Sequence, residues 1–171
     1  MRPIVIVDTI RSVKRVLFVC TGNICRSPTA EAVARATALR LGVDADVEFD
    51  SAGIDGYHAG EAPDRRATAR GRLRGYDLSP LRARRVTAQD FERFDLILAM
   101  DREHFDVLTR KCPAEHRHKL RMFLGGSTAF DDVDVPDPYG GTDRDFDVVL
   151  DMCEDVIPRL LAELTGPPMP G

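Results

Sequence analysis

Apolar residues along this chain occur either in short unbroken runs or at helical spacing. The run Arg15-Val-Leu-Phe-Val-Cys20 ends at a glycine-containing loop, as a buried parallel strand does. Ser27 is then the predicted N-cap of a helix with Pro28 in its first position, and apolar residues recur at helical spacing until Gly42 ends it. A strand, a loop and a helix therefore follow one another directly.

Strands and helices continue to alternate along the rest of the chain. Further strands are predicted at 47–50, 95–100 and 120–124, and further helices at 64–75, 101–110 and 146–164. Residues 51–53 are interpreted as a turn, and 125–142, which is rich in Gly, Asp and Pro, as a surface loop. This alternation predicts an α/β sandwich with a parallel sheet, whose ligands bind at the carboxyl ends of the strands.

Length and composition fit one domain in a reducing compartment. The 171 residues, 43% of them hydrophobic, suffice for a single core, which we assign to 15–165, between an N-terminal extension, 1–14, and a flexible tail, 166–171. A net charge of -4 argues against a protein that coats nucleic acid or an anionic membrane. The chain shows no signal peptide, transmembrane stretch or disulfide framework, so we expect a cytoplasmic protein with no nucleic acid partner and no membrane insertion.

The loop after the first strand, Cys20-Thr-Gly-Asn-Ile-Cys-Arg26-Ser27, has the composition of a phosphate site. Its backbone amides can form an anion-binding nest at the N-terminus of the following helix, and Gly22 permits the turn. Arg26 supplies a planar set of donors that can hold two phosphoryl oxygens. The same positive field favours the thiolate form of Cys20, which can attack phosphorus and carry a phosphocysteine intermediate.

Such a mechanism needs a general acid for the leaving oxygen. Asp137 is the candidate, because it begins the sequence Asp137-Pro-Tyr139 in the later loop, and this tyrosine can form a wall for an aromatic substrate. Asp131, Asp132 and Asp134 are weaker candidates, since they lack the adjoining Pro-Tyr.

Four stretches together resemble the low-molecular-weight protein tyrosine phosphatases. They are the string from Val16 to Glu31, Ser51-Ala-Gly53, Ala99-Met-Asp101 and Asp137-Pro-Tyr139, which follow in order within residues 14–164. The resemblance implies a flavodoxin-like α/β fold, a three-layer sandwich with a four-stranded parallel sheet of order 2-1-3-4 flanked by helices. It also implies hydrolysis of phosphotyrosine without a metal or other cofactor, with tyrosine-phosphorylated proteins as substrates and the oligomeric state left open.

The same resemblance implies roles for individual residues. Cys20 is the expected nucleophile, Arg26 the phosphate clamp and Asp137 the general acid. Ser51 would support the phosphate loop by hydrogen bonds together with Asn23 and Ser27, and Ser27 would also help the thiolate leave. The expected substrate-binding residues are Thr21, Gly22, Asn23, Ile24, Cys25, Ser27, Tyr57 and Tyr139, of which Ile24, Tyr57 and Tyr139 would line the mouth.

Four positions bear on the choice of substrate. Gly140 and Gly141 stand where the family usually has a second aromatic or bulky residue, so we expect a wider entrance or a looser acid loop. Tyr57 replaces the tryptophan of many bacterial members and keeps an aromatic face. Ile24 favours phosphotyrosine, because related protein arginine phosphatases have threonine there and an apolar wall suits a phenyl ring. Phosphoarginine hydrolysis is the first alternative, and a non-enzymatic relative that binds phosphotyrosine or senses oxidation is the second.

The other chemically active side chains allow simpler interpretations. Cys25 could form a reversible disulfide with Cys20, as the resemblance suggests, or could pack beneath the loop. Cys112 and Cys153 are expected to be structural, and their wide separation argues against a thioredoxin-coupled arsenate reductase. His116 and His118 are expected to lie at the surface without binding a metal. The clustered arginines are expected to form a solvated face, or a face that steers a substrate to the site; they are residues 65, 66, 70, 72, 74, 82, 84 and 85.

Overall fold

The strands of this protein form one parallel sheet in a computed structural model that describes residues 12–166. Within that range β1 (Lys14–Cys20), β2 (Val47–Gly53), β3 (Leu96–Ala99) and β4 (Leu120–Met122) are ordered β2-β1-β3-β4. The α-helices there are α1 (Arg26–Leu41), α2 (Arg65–Leu73), α3 (Ala88–Arg93), α4 (Arg102–Lys111) and α5 (Asp143–Thr165). The predicted sandwich and its strand order are confirmed. Most of the predicted extension, 1–14, and tail, 166–171, lies outside the described residues.

β1 lies inside the sheet and is covered on both faces. Val16 and Phe18 belong to an apolar layer that includes residues of α1 and α5. Leu17 and Val19 belong to the layer on the other face, together with residues of α3 and α4. Because alternate side chains of a strand face opposite ways, a strand buried on both faces requires the unbroken apolar run that the sequence shows.

β2 is longer than predicted. It continues through residues 51–53, which pair in register with residues 18–20 of β1, so the predicted turn at 51–53 is wrong. The extension brings Gly53 beside the loop that follows β1. A Cβ atom on Gly53 would lie 2.7 Å from the backbone carbonyl oxygen of Thr21, so only glycine lets the strand approach the loop this closely.

The boundaries of α1 and β4 also differ from the prediction. α1 begins at Arg26 with Cys25 as its N-cap residue, and Ser27 lies inside the helix because its hydroxyl turns back into the preceding loop. β4 stops at Met122, where the short 3-10 helix Phe123–Gly126 begins. α3 was not predicted, since a helix of six residues is too short to show a clear periodicity.

Several of the clustered arginines are bound within the fold. Arg70 of α2 lies 2.8 Å from Asp147, and Arg74 lies 2.8 Å from Asp151, both on α5. Arg84 forms ion pairs in the loop before α3. The arginine of the first pair donates to both oxygens of its carboxylate, a geometry that fixes orientation as well as charge. These three arginines therefore form ion pairs within the protein while about a third of each side chain stays exposed to solvent.

Candidate active site

The loop between β1 and α1 places Cys20 at the carboxyl end of an inner strand. The Sγ atom of Cys20 lies 3.0 Å from the Ser27 hydroxyl oxygen. The backbone carbonyl groups of Cys20, Thr21, Ile24 and Cys25 all accept backbone hydrogen bonds from residues beyond the loop. In a planar trans peptide the N–H group points opposite to the carbonyl, so the amide after each of these carbonyls is directed into the loop. Amides arranged in this way form an anion-binding nest.

Asn23 braces this loop from behind. Its φ angle of 57° is left-handed, a conformation that asparagine tolerates better than most residues. Its Nδ2 donates to the hydroxyls of Ser27 at 2.8 Å and Ser51 at 2.9 Å, and its Oδ1 accepts from the Arg84 amide at 3.0 Å. Ser51 donates in turn to Glu31 at 2.7 Å, and burial raises the pKa of that carboxyl. The side chains of Asn23 and Ser27 are themselves buried and are hydrogen-bonded within the loop.

Arg26 lies at the back of the loop with only 5% of its side chain exposed. Its Nη1 donates to Asp101 Oδ2 at 2.8 Å and to the Val135 carbonyl at 3.0 Å, and its Nη2 donates to Thr21 Oγ1 at 3.3 Å. The same Nη2 lies 3.9 Å from Asp137 Oδ2. These partners come from separate elements, so the plane of the guanidinium is held from several directions.

A pocket of about 170 Å³ opens above the loop. Cys20, Arg26 and Asp137 line it together, so the three predicted catalytic residues share one cavity. Tyr57 and Tyr139 form walls that reach into solvent, with 84% and 64% of each residue exposed. The other lining residues are Thr21, Gly22, Ile24, Cys25, Asp55 and His58.

The loop that carries Asp137 is tied to its surroundings. Arg66 of α2 donates a hydrogen bond to the Gly141 carbonyl. The Gly141 amide donates to the Pro138 carbonyl at 2.9 Å, closing a turn in which Gly140 has a φ of 74°. Gly140 supplies the left-handed backbone that this turn needs. The two glycines therefore form a hydrogen-bonded turn, and the expectation of a wider entrance or a looser acid loop stays a prediction.

The sequence of this chain is similar to that of a known protein family. It matches the family described as low molecular weight phosphotyrosine protein phosphatase over residues 15–167, a stretch that includes nearly the whole of the sheet and all five helices. The chain belongs to the low molecular weight phosphotyrosine protein phosphatase family. The resemblance read from the sequence motifs is thereby confirmed.

Individual relatives of this phosphatase are similar over most of their length. The low molecular weight protein-tyrosine-phosphatase of Streptomyces coelicolor is 44% identical over 151 residues, which cover 86% of this chain and 92% of the relative. The human low molecular weight phosphotyrosine protein phosphatase is 38% identical over 144 residues, which cover 84% of this chain and 90% of the relative.

Solved structures of similar proteins share the fold. Protein tyrosine phosphatase from Entamoeba histolytica, with Hepes in its active site, has a TM-score of 0.86 and 37% identity, covering 88% of this chain and 96% of that one. Wzb from Vibrio vulnificus, in complex with benzylphosphonate, has a TM-score of 0.77 and 28% identity, covering 90% of this chain and all of that one.

Two histidines of the phosphatase contact its phosphate loop and were missed in the sequence. His104 of α4 is buried, and its Nε2 lies 2.7 Å from Thr21 Oγ1; burial and the nearby guanidinium lower the pKa of His104 to about 4. The ring of His58 packs over Gly22, where a Cβ atom would lie 2.9 Å from its Cδ2. His58 directly follows Tyr57, which was expected to line the mouth of the site, so its position near the loop could have been predicted from the sequence. Nothing in the helical pattern of α4 distinguishes His104.

All four cysteines of the phosphatase are free. Cys25 lies in the pocket lining beside Cys20, and burial raises the pKa of its thiol. Cys112 and Cys153 are buried in the two apolar layers, one on each face of the sheet, which agrees with their predicted structural role.

His116 and His118 lie on the 3-10 helix Ala114–Lys119, where His118 is exposed, as expected for a surface position, and His116 is half-buried. Among residues 12–166, no group of three or more His, Cys, Asp or Glu side chains is arranged to hold a metal ion. None of the helices in the described part of the chain is both long enough and apolar enough to cross a membrane.

Proposed function

We propose that this protein hydrolyses phosphotyrosine in other proteins through a phosphocysteine intermediate on Cys20. The observation that carries the proposal is the shared pocket of about 170 Å³, which a thiol, a buried guanidinium and a carboxyl group line together. Cys20, Arg26 and Asp137 are the nucleophile, the anion clamp and the proton donor that this reaction requires.

In the first step the Cys20 thiolate attacks phosphorus, and the bond between phosphorus and the tyrosine oxygen breaks. The loop amides and Arg26 hold the phosphoryl oxygens while their charge redistributes. Asp137, in its acid form, donates a proton to the departing phenolate oxygen. Its Oδ2 lies 3.9 Å from Arg26 Nη2, so the acid and the clamp reach the same phosphoryl group.

In the second step water attacks the phosphorus atom, the bond between sulfur and phosphorus breaks, and inorganic phosphate leaves. Asp137, now a carboxylate, accepts the proton of the attacking water. The Cys20 thiolate departs with the bonding electron pair, and the Ser27 hydroxyl stabilises it from 3.0 Å. Asn23 donates to the oxygen of the same hydroxyl, so its single proton can be given either to the sulfur at 3.0 Å or to the Ala52 carbonyl at 3.4 Å, and the thiolate is the nearer and the charged acceptor.

The walls of the pocket support a substrate with an aromatic ring. Tyr57, Tyr139 and Ile24 offer apolar surface around the opening, and a cavity of roughly 150 Å³ can hold a benzene ring. The Vibrio vulnificus relative is bound to benzylphosphonate, in which a phenyl ring stands one carbon from phosphorus. A phenyl phosphate therefore fits this pocket better than a phosphorylated guanidinium, which needs polar partners.

The exposure of the two tyrosine walls supports a phosphotyrosine carried by a protein. With Tyr57 84% exposed and Tyr139 64% exposed, a phosphorylated side chain can enter while the rest of its protein stays outside. We further propose that the protein works in the cytoplasm, because Cys20 must stay reduced to act as a nucleophile.

Steady-state kinetics on one peptide, prepared with either phosphotyrosine or phosphoarginine at the same position, test the proposal. We expect kcat/KM to be higher for phosphotyrosine and Cys20→Ser to abolish turnover of both peptides. Preference for phosphoarginine would support the first alternative activity. Activity that survives Cys20→Ser would contradict the phosphocysteine mechanism, and binding of phosphotyrosine without turnover would support the non-enzymatic alternative.

A further inference from the structure

His104 lies behind the phosphate loop and takes no part in the chemistry described above. Only 2% of the residue is exposed, although it carries two ring nitrogens. Its Nε2 lies 2.7 Å from Thr21 Oγ1 and 3.5 Å from Arg26 Nη2. Its Nδ1 lies 3.1 Å from Asp101 Oδ1, but at an angle too poor for a hydrogen bond, so that contact is electrostatic. A buried imidazole in such surroundings calls for an explanation.

The donors and acceptors around His104 favour one arrangement. Arg26 can only donate, so Thr21 Oγ1 accepts from its Nη2 at 3.3 Å. The single hydroxyl hydrogen of Thr21 is then free to point at His104 Nε2, which must be unprotonated to accept it. The ring proton of the neutral imidazole lies on Nδ1 and faces Asp101. The other oxygen of Asp101 accepts from Arg26 Nη1 at 2.8 Å, which closes a ring of four residues.

Charge supports the same arrangement. A protonated imidazole would direct an N–H group at the Thr21 hydroxyl and would place a second cation 3.5 Å from the Arg26 guanidinium. Burial, with a further contribution from Arg26, lowers the pKa of His104 to about 4, so the ring is neutral at neutral pH. His104 is therefore a hydrogen-bond acceptor in the closed ring.

We propose that His104 is a positioning residue for the phosphate clamp. Its ring orients the Thr21 hydroxyl, which accepts from Arg26 Nη2. Its backbone amide donates at 2.9 Å to Asp101, which accepts from Arg26 Nη1, so both Nη atoms are held in the plane that grips the phosphoryl group. His104 itself does not touch the substrate. The inference rests on the proposed function for its effect on turnover, but the grip on phosphate can be measured without turnover.

Substitutions that separate size from hydrogen bonding test this role. His104→Phe keeps a ring of similar size and removes the acceptor, whereas His104→Gln keeps an amide oxygen that can accept from Thr21. We expect His104→Phe to lower both kcat/KM for a phosphotyrosine peptide and the affinity for orthophosphate, on the order of tenfold. His104→Gln should restore most of both losses. The exposed His118→Phe is the matched control and should change neither.

A double-mutant cycle with Thr21→Val, measured by calorimetric titration with orthophosphate, decides whether His104 acts through Thr21. In the Thr21→Val background, His104→Phe should lower orthophosphate affinity less than about twofold, because the hydrogen bond is already absent. The proposal would be overturned if the losses of orthophosphate affinity in His104→Phe and Thr21→Val multiplied in the double variant. It would also be overturned if His104→Phe and His104→Gln lost the same affinity. If His104→Phe does not fold, the orthophosphate affinities of Thr21→Val and His104→Gln test the positioning role instead. An unchanged affinity in Thr21→Val would then overturn the proposal.

The two readouts distinguish this inference from the proposed function. A wild-type protein that binds orthophosphate without hydrolysing any phosphotyrosine peptide would contradict the proposed function, while the binding cycle would still test His104. A wild-type protein that turns over phosphotyrosine with no loss in His104→Phe would contradict only the positioning role.

Discussion

Replacing Asn23 by alanine should destabilise the protein and disable its phosphate loop together. The side chain makes three hydrogen bonds, to Ser27, Ser51 and the Arg84 amide, each with a net value of about 1 kcal/mol. The φ angle of 57° adds about 1 kcal/mol for alanine, which tolerates the left-handed conformation less well than asparagine. We therefore expect the free energy of unfolding to fall by about 4 kcal/mol, from a total that is typically about 5–15 kcal/mol.

Equilibrium unfolding in urea measures this loss, with the free energy obtained by linear extrapolation. Asn23→Gly is the matched control, since glycine loses the same hydrogen bonds without the left-handed strain and should fall between wild type and Asn23→Ala. In the folded fraction, kcat/KM should also drop, because Ser27 is no longer fixed against Cys20. A loss of less than about 1 kcal/mol in Asn23→Ala, with unchanged kcat/KM, would refute the bracing role. An Asn23→Gly variant less stable than Asn23→Ala would refute the backbone part of the reasoning.

Three further predictions concern other parts of the site. Gly53→Ala should lower the free energy of unfolding in urea by about 1–3 kcal/mol and should lower kcat/KM, because its Cβ would lie 2.7 Å from the Thr21 carbonyl oxygen. Gly125→Ala is the control, since the nearest contact of its Cβ would be 3.9 Å away, and equal stability of the two variants would contradict the prediction. The pKa of His104 is lowered from 6.5 to about 4 by folding, so as the pH falls the unfolded chain binds a proton at this residue before the folded protein does. The free energy of unfolding should therefore fall between pH 6.5 and 4 more steeply in wild type than in His104→Gln. An equal pH dependence in the two proteins would contradict this. Asp137→Asn should slow turnover of phenyl phosphate by roughly 10²–10⁴-fold and that of dinitrophenyl phosphate far less, and an equal effect on both would show that another group is the acid.

The parts of the fold that depend on local pattern could be predicted from the sequence. The unbroken apolar run of β1 marks a strand buried on both faces, and Gly42 marks the end of α1 with a φ of 71°. The turn predicted at 51–53 failed because pairing with β1 overrides the turn preference of Ser and Gly. Likewise, Ser27 has the preference of an N-cap, but its hydroxyl is hydrogen-bonded to Cys20 and Asn23 of the preceding loop, and the helix already begins at Arg26.

Some residues of the candidate site could likewise be predicted from local sequence, whereas others are placed by tertiary contacts alone. Cys20 and Arg26 are close in sequence, so their loop could be recognised, and Asp137 could be found from its Pro-Tyr context. His104 could not, because only tertiary contacts bring α4 against Thr21. The ion pairs that Arg70 and Arg74 form with α5 could not be predicted either, because their partners lie more than 70 residues away in the sequence.

In the proposed mechanism the phosphoryl group is bonded covalently to the sulfur of Cys20 during each turnover. The most direct test of this bond is a rapid acid quench of the wild-type protein during turnover of a phosphotyrosine peptide, followed by mass spectrometry of the digested chain. The proposed mechanism predicts a phosphoryl group on the peptide that contains Cys20, at a level that rises in the pre-steady state and disappears as substrate runs out. Sustained turnover with no phosphoryl adduct on Cys20 at any quench time would contradict it.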